Sequence, residues 1–169
     1  STLLAEYFAL ETRLCACFGL EEAIVTSTQV DPKQMQSVIG RATAGFLDRL
    51  IQVRKPASLG VGWGTTLRET VEQMTPANAP EVKVRSMMGA LTRGSEINTF
   101  EIVRRFAKVL GGECHYLAAP IYVDSAASRD VIVAQPVFRT LLEEAAAVDV
   151  SCLSVGDLSR ESLQVRYGL

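Results

Sequence analysis

The chain has a single histidine and four cysteines, and Cys15, Cys17, Cys114 and Cys152 never fall into a C-x-x-C pair. A zinc centre needs three or four converging sulfur or nitrogen ligands, and only His115 could add nitrogen, so no metal and no cofactor is expected. Basic charge is scarce too. Seventeen Lys and Arg against nineteen Asp and Glu leave a net charge of -2 and a pI near 5.5, which excludes gripping nucleic acid unaided. No apolar run approaches the ~20 residues of a membrane span, and no basic-then-apolar leader opens the chain. Cys114 and Cys152 sit in apolar, strand-like runs, where free cysteine behaves as a small hydrophobe, so a soluble protein of the reducing cytoplasm is expected. Two familiar phosphate loops are also missing. The dinucleotide fingerprint needs a third glycine where Leu67 stands, and the ATP-type loop needs a Gly-Lys-Ser/Thr ending.

What is present centres on residues 59–74, LGVGWGTTLRETVEQM. Leu59, Gly60 and Val61 can end a buried strand, and Gly62 and Gly64 permit close approaches that a Cβ would block. Thr65 and Thr66 then open a helix whose Leu67, Val71 and Met74 recur at helical spacing. A helix start exposes unpaired N–H groups and a partial positive charge, and two threonine hydroxyls add donors for an anion such as phosphate. Trp63, between the glycines, either anchors packing or walls a pocket.

In chain order, Leu3, Leu4, Phe8, Leu10, Leu14 and Phe18 predict a first helix ended by Gly19. Residues 22–26 read as a short strand. Asp31 and Pro32 cap and begin a helix over 32–53, with Met35, Val38, Ile39, Ala42, Phe46, Leu47 and Leu50 facing inward. After the helix that follows Thr65, a proline-bounded loop leads to a strand over 82–88 and a glycine turn at Gly89. Residues 93–96 are polar and expected to be mobile. Asn98 and Glu101 have the form of a capping box before a helix that Gly111 and Gly112 close. A strand over 114–118 follows, then Asp124 and Ser125 as caps, a helix through Ile132, another from Pro136 through Ala147, and a last strand over 149–155. The segment begins at Ser1 inside a helix, which suggests an excised piece.

Strands alternating with helices imply an α/β fold with a parallel sheet covered on both faces. Ligands collect beyond the carboxyl ends of such strands, often where strand order reverses. That rule selects 62–66, 88–90, 119–124 and 156–157 as the rim of one cleft.

Taken together, these residues resemble the effector-binding domain of the SorC family of sugar-responsive bacterial transcription regulators. The resemblance rests on Phe18-Gly19-Leu20 and the valine-rich stretch to Val25, on Gly60-Val61-Gly62-Trp63-Gly64-Thr65-Thr66, on Met88-Gly89-Ala90, on the helix begun at Asn98, and on Ala119-Pro120-Ile121-Tyr122-Val123. It covers nearly the whole chain. It implies a three-layer Rossmann-like sandwich of the phosphosugar-isomerase and CoA-transferase-like type, used for sensing and not catalysis. It implies that a phosphorylated sugar seats its phosphate against Gly64, Thr65 and Thr66. Gly62, Trp63, Met88, Gly89, Asn98, Pro120, Tyr122 and Gly156 would surround the remainder. Some family members place a phosphate-binding arginine where Met88 stands, and the methionine removes that bidentate anchor. The family also carries an N-terminal helix-turn-helix and a further C-terminal stretch outside these 169 residues. The expectation is therefore a single, C-terminally truncated effector-binding domain over 1–169, reaching DNA only through a domain absent from this chain.

The same fold hosts sugar-phosphate isomerases, which is the alternative function. An isomerase needs a base, and Asp124 or Asp157 at strand ends could be proposed, although each also suits a helix cap or turn. No lysine falls on the rim, and His115 reads as a hydrogen-bonded strand residue. A third role, compatible with sensing, is homo-oligomerisation through the first helix.

Overall fold

The computed structural model describes residues 2–27, 31–91, 98–157 and 159–167. The elements run α1 (Thr2–Phe18), α2 (Pro32–Arg54), β1 (Ser58–Val61), α3 (Thr65–Gln73), β2 (Lys83–Ser86), α4 (Thr99–Leu110), β3 (Glu113–His115), α5 (Ala126–Ala134), α6 (Pro136–Ala146), β4 (Val150–Cys152) and α7 (Leu163–Arg166). The four strands form one parallel sheet in the order β3-β2-β1-β4. The chain builds outward from β1 through β2 to β3 and then returns to add β4 on the far side of β1. Strand order therefore reverses between β1 and β4.

Local chemistry sets the boundaries. The Asp31 carboxylate accepts from the Lys33 amide at 3.0 Å and Pro32 fills the first helical position, so α2 starts there. Asn98 Oδ1 caps α4 through the Phe100 amide at 3.2 Å, and Gly111 ends that helix in the left-handed conformation. Alternate residues of the sheet serve opposite faces. Leu59, Val61 and Val84 turn toward α3 and α4 and meet Ile102, Val103, Phe106 and Leu110, all fully buried. The opposite face carries Gly60 and Arg85, in register with each other, and Arg85 pairs there with Glu144 of α6.

Several expectations from the sequence change in the folded chain. Residues 22–26 form no strand. The Val25 amide donates instead to the Glu11 carboxylate of α1 at 2.8 Å, and both sides of β1 are already taken by β2 and β4. The buried stripe of α2 runs through Gly40, Ala44, Leu47 and Ile51, while Ile39 remains partly exposed. Gly40 explains the rotation: a Cβ there would lie 2.8 Å from Glu69 Cβ, so α3 crosses α2 at that glycine. Cys114 on the edge strand β3 is exposed, whereas Cys152 on β4, the opposite edge, is buried in the core cluster, and desolvation pushes its thiol up to about 11. The predicted strands over 82–88, 114–118 and 149–155 are each shorter. Glu101 does not close a capping box; its carboxylate binds Arg104 and Arg105. The expectation for residues 93–96 lies outside the described residues.

Candidate functional site

The strand order places the segments after β3, β2, β1 and β4 side by side along one edge of the sheet. At its centre β1 ends in Gly62-Trp63-Gly64. The Gly62 amide donates to the Cys152 carbonyl at 3.0 Å, extending the β1–β4 pairing by one residue before the two segments part. A Cβ on Gly62 would meet Leu153 Cδ2 at 3.2 Å and Met88 Cε at 3.7 Å. Gly64 lies at φ 117°, a conformation that side chains disfavour, and a Cβ there would sit 3.2 Å from Ser154 Oγ. Ser154 Oγ in turn donates to the Trp63 carbonyl at 2.8 Å.

Gly64 also acts as the N-cap of α3 without a side chain to offer. Helices α2, α4, α5 and α7 have their first amides bound by Asp31, Asn98, Ser125 and Ser162, whereas α3 and α6 have no side-chain cap hydrogen bond; α6 starts with Pro136, which has no amide hydrogen to offer, and of the two only α3 starts at the end of β1. The amides of the first turn, Thr65 and Thr66 among them, thus face the sheet edge with no side-chain acceptor and with the positive end of the helix dipole behind them. Both threonines and Trp63 are half-buried.

Beside this turn, Met88 and Gly89 follow β2. Gly89 lies so close to the backbone of Ala119 and Pro120 that any side chain would collide with them, and the Ala90 amide donates to the Ala119 carbonyl at 2.9 Å. Met88, Gly89 and Pro120 line a largely apolar cavity of about 270 Å³ with Ile132, Phe138 and Arg129. Met88 thus joins the two halves of the edge, touching the space above Gly62 on one side and this cavity on the other.

The remaining predicted residues are less closely gathered. Both ends of the Asn98 amide are engaged, Oδ1 by the Phe100 amide and Nδ2 on the Leu91 carbonyl at 2.8 Å, so the side chain braces the start of α4. Tyr122 is 64% exposed, and Gly156 is exposed beyond β4. Asp124 accepts from Ser128 Oγ at 2.6 Å, which holds its carboxyl below the usual range, and Asp157 is lowered by its hydrogen bonds from Ser159. Both do the work of caps and turns. The strand predicted over 149–155 encloses Leu153 and Ser154; β4 stops instead at Cys152 and leaves both in the cleft. A roomier cavity, about 540 Å³, lies at the opposite end of the sheet between Ile51, Lys55, Pro56, Asn78, Glu81 and Leu110, away from all the predicted residues. Among the described residues no helix is long and apolar enough to cross a membrane.

The sugar-binding domain family model, Sugar-bind, matches residues 4–169. The erythritol catabolism regulatory protein EryD of Brucella abortus (strain 2308) is 25% identical over 166 residues, which is 98% of this chain and 52% of that protein. The deoxyribonucleoside regulator of Bacillus subtilis (strain 168) is 25% identical over 154 residues, 89% of this chain and 48% of its own length. Among solved structures, the full-length sorbitol operon regulator SorC from Klebsiella pneumoniae superimposes with a TM-score of 0.80 at 24% identity, over 96% of this chain and 55% of that one. The chain thus spans about half the length of the relatives it matches. The family is one of binding domains and these relatives are regulators, not enzymes, so the isomerase alternative is set aside.

Proposed function

The chain belongs to the SorC-type sugar-binding domain family, and from that premise we propose that residues 1–169 are one effector-binding domain of a cytoplasmic, sugar-responsive transcription regulator. Its effector is a phosphorylated sugar. The observation that carries this reading is the uncapped start of α3 at the point where strand order reverses. A phosphate there accepts from the amides and hydroxyls of Thr65 and Thr66, next to the side-chain-free Gly62 and Gly64. Trp63 walls the sugar. Met88, Gly89, Pro120, Tyr122 and Gly156 surround the rest, and Asn98 holds the adjoining start of α4 in place.

DNA is reached through a domain outside these residues, in keeping with the chain's small negative charge. Occupancy is relayed by rearranging a homo-oligomer, which requires the effector to bind one arrangement better than another.

Thermal unfolding against sugar phosphates, each paired with its unphosphorylated sugar, tests the ligand class. A hundredfold excess over Kd stabilises by about 2.7 kcal/mol, a rise of roughly 5–10 °C for a domain of this size. The shift should occur with a phosphorylated member and vanish in Thr65→Val/Thr66→Val. An equal shift with the unphosphorylated partner would refute the phosphate assignment.

A further inference from the structure

The end of the sheet opposite Thr65 and Thr66 holds a second recess, and its chemistry is the reverse of theirs. The last turns of α2 and α4, the start of β1 and the loop between α3 and β2 enclose about 540 Å³, inside the ~300–1,000 Å³ span of small-molecule sites. Its floor is apolar, since Ile51, Pro56, Val82 and Leu110 line it and are themselves buried.

The walls are pinned on both sides. Lys55 leaves α2 in the left-handed conformation at φ 45°, with its amide on the Ile51 carbonyl at 3.1 Å, and Pro56 fixes the next torsion. The facing loop is tied to α4 by the Ala77 amide on the Val109 carbonyl and the Ala79 amide on the Leu110 carbonyl, both at 2.8 Å. The Thr75 amide ties it to α2 through Asp48 Oδ2 at 3.1 Å. The recess is therefore formed before any ligand arrives.

Those same bonds decide what it can hold. Each consumes a wall N–H, the Val82 amide is taken by the Ala79 carbonyl at 3.1 Å, and Pro56, Pro76 and Pro80 have no N–H to offer. The lining main chain is thus poor in donors. Acceptors remain: Asp48 has a second carboxylate oxygen, Glu81 stands exposed at the rim, and the carboxyl ends of α2 and α4 bring two negative helix poles to the recess. Against the two carboxylates Lys55 is the one cation among the described lining residues, and Gln52 and Asn78 add amides that donate and accept alike. The complement of such a wall is a positively charged donor.

We propose that this recess is a second ligand site, which takes an organic cation: its ammonium group faces Asp48 and Glu81, and its apolar body lies on Ile51, Val82 and Leu110. The four residues of β1, ~13 Å at strand rise, separate it from the turn at Thr65 and Thr66. It stands or falls independently of the phosphate there.

Backbone amide NMR of the chain, titrated with phenethylammonium, phenethyl alcohol and hydrocinnamate, tests this with one apolar body in three charge states. Phenethylammonium should give saturable changes at Lys55, Asn78, Glu81 and Gly111, the alcohol should bind roughly tenfold more weakly, and the carboxylate should leave these amides unmoved. Asp48→Asn/Glu81→Gln should erase the preference for the cation while keeping an oxygen for the Thr75 amide. Asp130→Asn, on exposed α5, and Thr65→Val/Thr66→Val should both retain it. If Asp48→Asn impairs folding, Glu81→Gln alone, at an exposed position, should still reduce the preference about threefold. Equal affinity for the ammonium and the alcohol, a preference for hydrocinnamate, no saturable change at these amides, or a cation preference that survives removal of the carboxylate charges overturns the proposal.

Discussion

Ser154 Oγ donates to the main-chain carbonyl of Trp63 at 2.8 Å, joining the segment after β4 to the turn after β1 across the reversal of strand order. This single bond fixes the wall against which the proposed phosphate site opens. Ser154→Ala is expected to lower stability by about 1 kcal/mol, the ordinary worth of such a bond. It should also weaken the phosphorylated effector by about fivefold, the same energy read as affinity. Chemical denaturation and calorimetric titration report the two effects separately, and a loss of stability at constant affinity would restrict Ser154 to a structural part.

Gly64 allows the second prediction. Its φ of 117° and the nearness of Ser154 Oγ oppose any side chain by two independent routes. Gly64→Ala should cost roughly 1–3 kcal/mol from backbone strain and sharply reduce effector binding. Adding Ser154→Ala should relieve the steric share and leave the strain. A double-mutant cycle measures the split, and strict additivity would mean that the two groups do not meet.

Helix packing gives a contrasting pair within α2. A methyl group on Gly40 must displace Glu69 and the α3 backbone, so Gly40→Ala should destabilise by about 1–3 kcal/mol. Gly45 has its nearest neighbour at 4.0 Å, and Gly45→Ala should stabilise by roughly 0.5–1 kcal/mol through helix propensity alone. Thermal unfolding of the two variants should shift in opposite directions.

The Glu101 carboxylate is lowered from its ordinary 4.5 to about 2, chiefly by the hydrogen bond from Arg104, with further help from Arg105. Because the folded value lies below the unfolded one, its contribution is complete above about pH 4.5 and is lost as pH falls toward 2. Glu101→Gln should therefore lower stability at neutral pH and flatten the acid limb of the stability profile between those values. An unchanged acid limb would show that Glu101 is not among the groups that drive acid unfolding.

Much of this arrangement could be read from the residues because the signals were local. Asp31-Pro32, Asn98 and Gly111 mark helix ends through bonds made within a few positions, and all three perform as expected. The Gly62–Thr66 turn was recognisable for the same reason. Errors arose where distant partners decided. The 22–26 stretch has strand composition, but the sheet positions beside β1 are occupied by β2 and β4, and α1 claims the Val25 amide instead. The rotation of α2 depends on α3 approaching Gly40, which no periodicity within α2 encodes. Ser154 is not singled out by the sequence because β4 ends earlier than its apolar run suggests.

The most direct test is residue-resolved. Backbone amide NMR of the chain, titrated with the phosphorylated sugar that gives the largest thermal shift, reads the N–H groups themselves. The account predicts large, saturable changes at Thr65, Thr66 and Leu67, smaller ones at Trp63 and Ser154, and their loss in Thr65→Val/Thr66→Val. Changes confined to the cavity around Lys55, Asn78 and Glu81 at the other end of the sheet would contradict it.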